Sequence, residues 1–412
     1  MDREGSPDSL VFFNLPASGH VNPTLPLVAE LSRRGTKVLY YTGDRFRDQV
    51  ERQGAEFRSY GRHLTYEHSR LPSNYLRVAG VLARAAEDLM PFSIAELRRE
   101  RPVVVISDAM CPWGRLAARA TGIPGVSSLS ALPIDPSLLR EHTTPAQFAR
   151  AASAGAPGYL RFRRAARRLR RTYHVEVGGL FDLFLFRDRL TIVYTSPSFL
   201  PDAERFDESV RFVGPLLRDT EDPDPALTRS FDDTPLVYVS MGTVAAPSVR
   251  FLRGCIEAFA DGDETLLLSV GVNVDPASLG PLPRNCIVRE TVPQLAVLHR
   301  AALFITHGGM NSVSEGLALG VPLLLYPQSP EQGIIAARVA ELGAGRTIEA
   351  RDAKPARIRA AADAVISGPY REAARSVGRD LRSAGGAPAA ADAIEELIAA
   401  TQGQGNGEPG GW

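Results

Sequence analysis

Between Thr306 and Gln332 the chain reads THGGMNSVSEGLALGVPLLLYPQSPEQ. The pattern is a buried strand running into His307-Gly308-Gly309, then a helix, a second apolar strand, and a loop closing on Glu331-Gln332. Glycines at a strand-to-helix turn let the backbone approach a ligand closely, and a helix start aims its first N–H groups at that ligand. Gly309, Met310, Asn311 and Ser312 lie at that start, and Asn311 and Ser312 add side-chain donors to their amides. Together with the His307 imidazole, this arrangement suits a diphosphate. Glu315 follows one turn later, where a carboxylate can accept both hydroxyls of a ribose. The same letters carry a plainer reading, since Ser312-x-x-Glu315 also spells a capping box, which would make the glutamate structural. Five polar residues at spacings that one ligand would need favour a nucleotide-diphosphate cradle over a simple turn.

The elements that must position these residues alternate along the chain. Apolar strands are predicted at Leu10–Asn14, Val38–Thr42 and Val103–Ser107, the last running directly into Asp108. Further strands follow at Leu236–Ser240, Leu266–Val270, Ile287–Arg289, Leu303–Thr306 and Leu323–Tyr326. Helical stretches separate them, beginning with Thr24–Arg34, which Gly35 ends. Alternation of this kind predicts α/β architecture with parallel sheets covered by helices on both faces. Residues 214–235 hold four prolines and many acids, a linker composition. The chain therefore divides into a domain at 1–213, a linker at 214–235 and a domain at 236–386, two Rossmann-like domains facing each other across a cleft. An alanine-rich helix at 387–400 and a glycine-rich tail at 401–412, read as disordered, complete it. In open parallel sheets, ligands sit beyond the carboxyl ends of the strands. His20, Asp108, Thr243 and His307 all follow or end predicted strands, so all four are expected to line the cleft.

Composition narrows the function classes. A chain of 412 residues with 44% hydrophobic content can bury two sizeable cores. Lys+Arg and Asp+Glu are both 47, so no global field argues for nucleic acid or an anionic membrane. Three cysteines, at 111, 255 and 286, make no disulfide framework and lack zinc spacing. The polar start of the chain lacks an apolar signal core, and no run is long enough to span a bilayer, so a cytoplasmic location without stable membrane insertion is expected.

With the upstream Val292-Pro293-Gln294, the Thr306–Gln332 run resembles the donor-binding signature of the UDP-glycosyltransferase family. VFFNLPASGHVNP at Val11–Pro23 resembles the family's opening strand and catalytic-histidine loop. TIVYTSPSFLPDAERFDESVRFVGP at Thr191–Pro215 resembles the run ahead of the linker in bacterial macrolide glycosyltransferases. The similarity extends from about Leu10 to about Leu397. It implies the two-domain GT-B fold, with the terminal helix crossing back to the first domain. It also implies an inverting transfer of a hexose, glucose first, from a UDP-sugar to a hydroxyl of an apolar natural product such as a macrolide or polyphenol. Thr291, Val292, Gln294, Glu331 and Gln332 then join the donor-binding set, the last pair at the sugar hydroxyls. Two departures matter. Aspartate is more usual where Glu331 stands, and an aromatic residue that stacks on the nucleobase is usual where Thr291 stands. Both keep a TDP-deoxysugar donor open.

An alcohol is a poor nucleophile near neutral pH, so a base must take its proton as the new bond forms. His20 fits that role if Asp108 fixes its tautomer and stabilises the imidazolium. Helix-start amides, the Thr243 hydroxyl and His307 can stabilise the leaving diphosphate, so no cofactor and no obligatory metal is expected. Two D-x-D sequences, Asp222-Pro223-Asp224 and Asp261-Gly262-Asp263, are expected in the linker and in a polar turn. Trp113, Phe148 and Phe181 are candidates for a greasy acceptor pocket, with core packing the alternative for each. Cys111 reads as a small core residue. Arg161 to Arg171 contains seven arginines among eleven residues, read as a solvated helical face or acceptor-side lid. The partners expected are a nucleotide sugar and a small apolar hydroxylated acceptor, with no nucleic acid, in a monomer or dimer. The rival readings are a nucleotide-sugar epimerase and a non-catalytic sugar-nucleotide-binding accessory protein.

Overall fold

A computed structural model describes residues 9–64, 72, 74–133, 144–180, 182, 188–218, 227, 234–242, 248–272 and 274–404. Two compact units emerge: Met1–Tyr194 with Glu204–Leu216 and Gly385–Trp412, and Thr195–Ala203 with Leu217–Ala384. The first holds β1 (Ser9–Phe13), β2 (Lys37–Thr42), β3 (Glu56–Ser59), β4 (Val104–Asp108), β5 (Gly125–Leu129), β6 (Leu190–Val193) and β7 (Val210–Phe212). They form one parallel sheet in the order β3-β2-β1-β4-β5-β6-β7. The second holds β8 (Leu236–Ser240), β9 (Thr265–Ser269), β10 (Cys286–Arg289), β11 (Ala301–Thr306), β12 (Leu323–Leu325) and β13 (Gly345–Thr347). Their order is β10-β9-β8-β11-β12-β13, again parallel throughout. Both sheets reverse direction of strand order once, between β1 and β4 and between β8 and β11. Those are the switch points at which Rossmann-like sheets place ligands.

The central strands read as continuous apolar runs because both of their faces are covered. In β1, Val11 and Phe13 pack into a core with Ala79, Leu82 and Leu89 of helix Tyr75–Glu100 and Leu116 of helix Pro112–Thr121. Leu10 and Phe12 point the other way, onto Val21, Leu25 and Val28 of helix Ser18–Arg33 and onto Ala390 and Ile394 of helix Gly386–Gln404. Truncating a fully buried phenylalanine such as Phe12 costs about 3–5 kcal/mol. The terminal helix is also held by charge, Arg34 Nη1 donating to Asp392 (2.6 Å) and Glu395 (2.8 Å), and by the Gly386 N–H bonded to the Val213 carbonyl (2.7 Å).

Several expectations are corrected. The first helix begins at Ser18 rather than Thr24, because the Ala17 carbonyl accepts from both the His20 and Val21 N–H groups. Pro23 and Pro26 lie inside it, held there by the burial of Val21, Leu25, Val28 and Leu31. His20 therefore stands in the first helical turn rather than in a loop. β4 includes Asp108 as its last residue. Strands β3, β5, β6, β7 and β13 were not recognised as strands in the sequence; each has three to five residues, too few for a period to show. Thr195–Ala203 groups with the second unit, where Arg338 donates to the Ser198 and Phe199 carbonyls (2.7 and 2.9 Å). Residues 401–404 continue the last helix instead of starting a tail; residues 405–412 lie outside the described residues. So does Asp222-Pro223-Asp224. Asp261-Gly262-Asp263 forms the turn leading into β9, at the amino end of the sheet, opposite to where the ligand-binding loops are. Among the described residues, no helix is long and apolar enough to cross a membrane.

Candidate active site

In the first unit, the switch point brings His20 and Asp108 together. His20 lies beyond the carboxyl end of β1, and Asp108 ends the adjacent β4. Asp108 is fully buried, and its Oδ2 accepts from His20 Nδ1 at 2.9 Å. Its Oδ1 accepts the Met110 N–H at 2.8 Å, so both carboxylate oxygens have donors and the group cannot swing away. Ser130, just past the neighbouring β5, places its hydroxyl 3.5 Å from the same ring nitrogen. A carboxylate can only accept, so the imidazole proton sits on Nδ1 and Nε2 becomes the basic nitrogen. The His20 side chain keeps 15% exposure, enough for a small hydroxyl to reach.

Beneath His20 lies a polar network that the sequence did not announce. Asn14 donates to the His20 carbonyl (3.1 Å) and to Thr24 Oγ1 (3.1 Å), and it also bonds the Tyr40 hydroxyl. Thr24 and Tyr40 share a further hydrogen bond of 2.6 Å. All three side chains are buried. They tie the first helical turn to β1 and β2, which fixes the direction in which His20 leaves the helix.

In the second unit, the cradle forms at the β8/β11 switch point. Helix Met310–Ala318 starts after Gly309, and its own ladder begins with the Val313 N–H bonded to the Gly309 carbonyl (3.0 Å). The amides of residues 310–312 thus point beyond the helix start, where a negative charge is favoured. His307 is packed between glycines: an added Cβ on Gly242 would come 2.7 Å from its Cε1, and one on Gly309 2.5 Å from its Nε2. Gly308 and Gly242 hold φ of +88° and +79°, a region side chains resist. Burial pulls the His307 pKa down to about 4, against the smaller opposing effect of a hydrogen bond to the Ser240 backbone. His307 is therefore neutral near pH 7, with its single N–H engaged by the Ser240 carbonyl.

Glu315 is not a capping residue. The N-cap is Gly309, so Ser312 is already the third helical residue and cannot cap. Glu315 Oε2 instead accepts from Gln294 Nε2 at 2.6 Å, and Gln294 Oε1 accepts from the Tyr238 hydroxyl at 3.0 Å. Burial raises the Glu315 pKa, while Gln294 and the Arg218 charge act in the opposite direction. Tyr238 and Arg218 were missed in the sequence, because nothing local marks a strand tyrosine or a linker arginine as a neighbour of Glu315.

Other candidates fall into place one by one. Thr291 is exposed in the loop after β10, and Val292 is half-buried beside it. Ser329 caps helix Pro330–Glu341, accepting the Gln332 N–H at 3.3 Å, with Glu331 in the first turn. Gln332 Oε1 accepts the Gln328 N–H (2.8 Å), which fixes the orientation of its amide. Trp113 is corrected: it is fully buried, with its indole N–H bonded to the Tyr60 hydroxyl (3.3 Å) and their rings edge to face, so it is core rather than pocket wall. Phe148 is 65% exposed on helix Pro145–Tyr173. Thr243 and Phe181 lie outside the described residues. Cys111 is buried in the core, its thiol pKa pushed up mainly by burial. Among the described residues, no cluster of three or more His, Cys, Asp or Glu could hold a metal ion.

Known proteins are similar to this chain in sequence and fold. The family model described as "Erythromycin biosynthesis protein CIII-like, C-terminal domain" matches residues 255–399. The NDP-glycosyltransferase YjiC of Bacillus licheniformis is 32% identical over 95% of this chain and 98% of its own. The oleandomycin glycosyltransferase of Streptomyces antibioticus is 30% identical over 97% of this chain and 93% of its own. Among solved structures, the glycosyltransferase of kitacinnamycin superposes with a TM-score of 0.81 at 30% identity, covering 95% of this chain and 98% of that one. On sequence, sheet topology and these relatives together, the chain belongs to the UDP-glycosyltransferase family and is a natural-product glycosyltransferase with the two-domain GT-B fold.

Proposed function

We propose that this enzyme transfers a hexose, glucose first, from a UDP-sugar to a hydroxyl of an apolar natural product, with inversion and without an obligatory metal, in the cytoplasm. The observation that carries the reading is the His20–Asp108 pair at 2.9 Å. His20 Nε2 takes the acceptor's O–H proton as that oxygen attacks the anomeric carbon, and Asp108 stabilises the imidazolium that forms. The bond from the anomeric carbon to the diphosphate oxygen breaks on the opposite face, so an α-linked donor gives a β-glycoside. Charge growing on the diphosphate is met by the amides of residues 310–312, preorganised donors that do not need a cation, with the His307 ring packed beside them. Glu315, oriented by Gln294, accepts the ribose hydroxyls.

A second donor reading rests on Thr291. With no aromatic ring at that position, base recognition falls to the backbone near Val292, which tolerates thymine as well as uracil and so admits TDP-sugars. The test is a panel of UDP- and TDP-sugars with a promiscuous phenolic acceptor, read by mass spectrometry, with and without EDTA. A β-glucoside from UDP-glucose that persists in EDTA is expected. Free UDP or an epimerised sugar without glycoside, or no turnover by the purified chain, refutes the transfer reading.

A further inference from the structure

The arginine-rich segment lies in the carboxyl-terminal half of a 29-residue helix, Pro145–Tyr173. Over its whole length this helix carries eight arginines and no acidic residue. One face is buried: Phe162, Ala165 and Leu169 join the core of the first unit. The orientation is fixed by close backbone approach. A Cβ on Gly80 of the neighbouring helix would come 2.6 Å from the Gly158 carbonyl oxygen, and one on Gly158 2.5 Å from the Arg77 Cα. Side chains on the opposite face are therefore held outward.

That outward face has a defined composition. Leu160, Arg163, Arg164, Arg167 and Arg171 recur at i, i+3, i+4, i+7 and i+11, which places them in one stripe. All four arginines are exposed, and Leu160, at 55% exposure, leads the stripe at its amino end. Phe148, on the same helix, is also exposed. Arg168 is answered by Glu87, and Arg84 by Glu87 and Asp88. Among the described residues, no acid lies within ion-pair distance of the four stripe arginines. In a chain whose formal net charge is zero, this is a local concentration of positive charge, without an ion-pair partner among the described residues, next to an exposed leucine.

The geometry points to a docking surface for an anionic lipid bilayer, contacted peripherally by this face. Guanidinium groups attract the phosphates of the headgroups while Leu160 enters the region just beneath them, the arrangement of an interfacial helix. A single-stranded nucleic acid would match the charge but has no use for an exposed leucine at the amino end of the stripe; stacking needs a ring there. A bilayer is also where apolar hydroxylated molecules collect, although the binding argument does not depend on the donor or acceptor assigned above.

The experiment is co-sedimentation of the full chain with vesicles of phosphatidylcholine alone or phosphatidylcholine mixed with phosphatidylglycerol, at low and high salt. Binding to the anionic vesicles that weakens with salt is expected. Each basic side chain near such a surface contributes about fivefold, so R163Q/R164Q/R167Q/R171Q should weaken binding by about a hundredfold or more. The charge-matched R346Q/R351Q/R357Q/R379Q, exposed on the second unit, should stay within a few-fold of wild type. Leu160→Ser should weaken vesicle binding with all charges intact, which keeps the test decisive if the quadruple variant misfolds. Wild type remaining in the supernatant, equal losses in the two quadruple variants, or an unaffected Leu160→Ser with tighter binding to single-stranded RNA would each overturn the proposal.

Discussion

Protonating His307 should cost the folded enzyme stability, by an amount the structure sets. Wedged against Gly242 and Gly309 and buried, the ring has a pKa of about 4 instead of 6.5. Between those values the unfolded chain takes up a proton on this side chain and the folded chain does not. Folding therefore loses stability as pH falls through that window, about 3 kcal/mol in full and about 2 kcal/mol by pH 5. Glu315 works in the opposite sense, because burial raises its pKa and the folded state gains as pH falls. The comparison must therefore be between wild type and His307→Gln, in which every other group is common. Urea unfolding of both at pH 8 and pH 5 gives the stability difference at each pH. The wild-type value relative to His307→Gln should fall by about 2 kcal/mol at pH 5. A difference that stays the same at both pH values would show that the ring protonates freely in the folded enzyme.

Three further outcomes follow from the geometry. Asp108→Asn should fold and bind UDP normally but lose roughly 10²–10⁴-fold in turnover, since the amide donates to His20 Nδ1 and forces the proton onto Nε2; turnover of an ordinary alcohol near the wild-type rate would exclude the dyad. Glu315→Ala should weaken UDP more than tenfold, a charged hydrogen bond contributing roughly 1.5–3 kcal/mol, and Tyr238→Phe should weaken it less, by freeing the Gln294 amide to turn; calorimetry on folded variants decides, and unchanged affinity in both would remove the ribose assignment. Thr291→Trp should tighten UDP about tenfold through stacking on the base, and wild-type binding that is already tight and rejects TDP would show the base site complete without it.

Much of the fold and the cradle was legible in the sequence because the information is local. Apolar runs such as Leu10–Phe13 and Leu236–Val239 declare strands buried on both faces, and their alternation with helices fixes parallel sheets. The glycine turn after β11 and the helix it starts are contiguous, so their geometry can be read letter by letter. Asp108 was placed at a strand's carboxyl end by the apolar run before it. What the sequence could not carry is pairing across distance. His20 and Asp108 are 88 residues apart, and only the adjacency of β1 and β4 sets their atoms 2.9 Å apart. Ser312-x-x-Glu315 spells a cap, yet the N-cap is Gly309 because the turn geometry and His307 packing put it there, and Gln294 then claims the glutamate. Trp113 has the composition of a pocket wall, but Tyr60 and the surrounding core bury it. Short strands such as β7 and β13 exist because a neighbouring strand offers hydrogen bonds, not because three residues prefer extension. The pattern of side chains chose the elements; which side chains meet was decided by the order of strands in each sheet, since packing is set by neighbours that the chain brings in from far away.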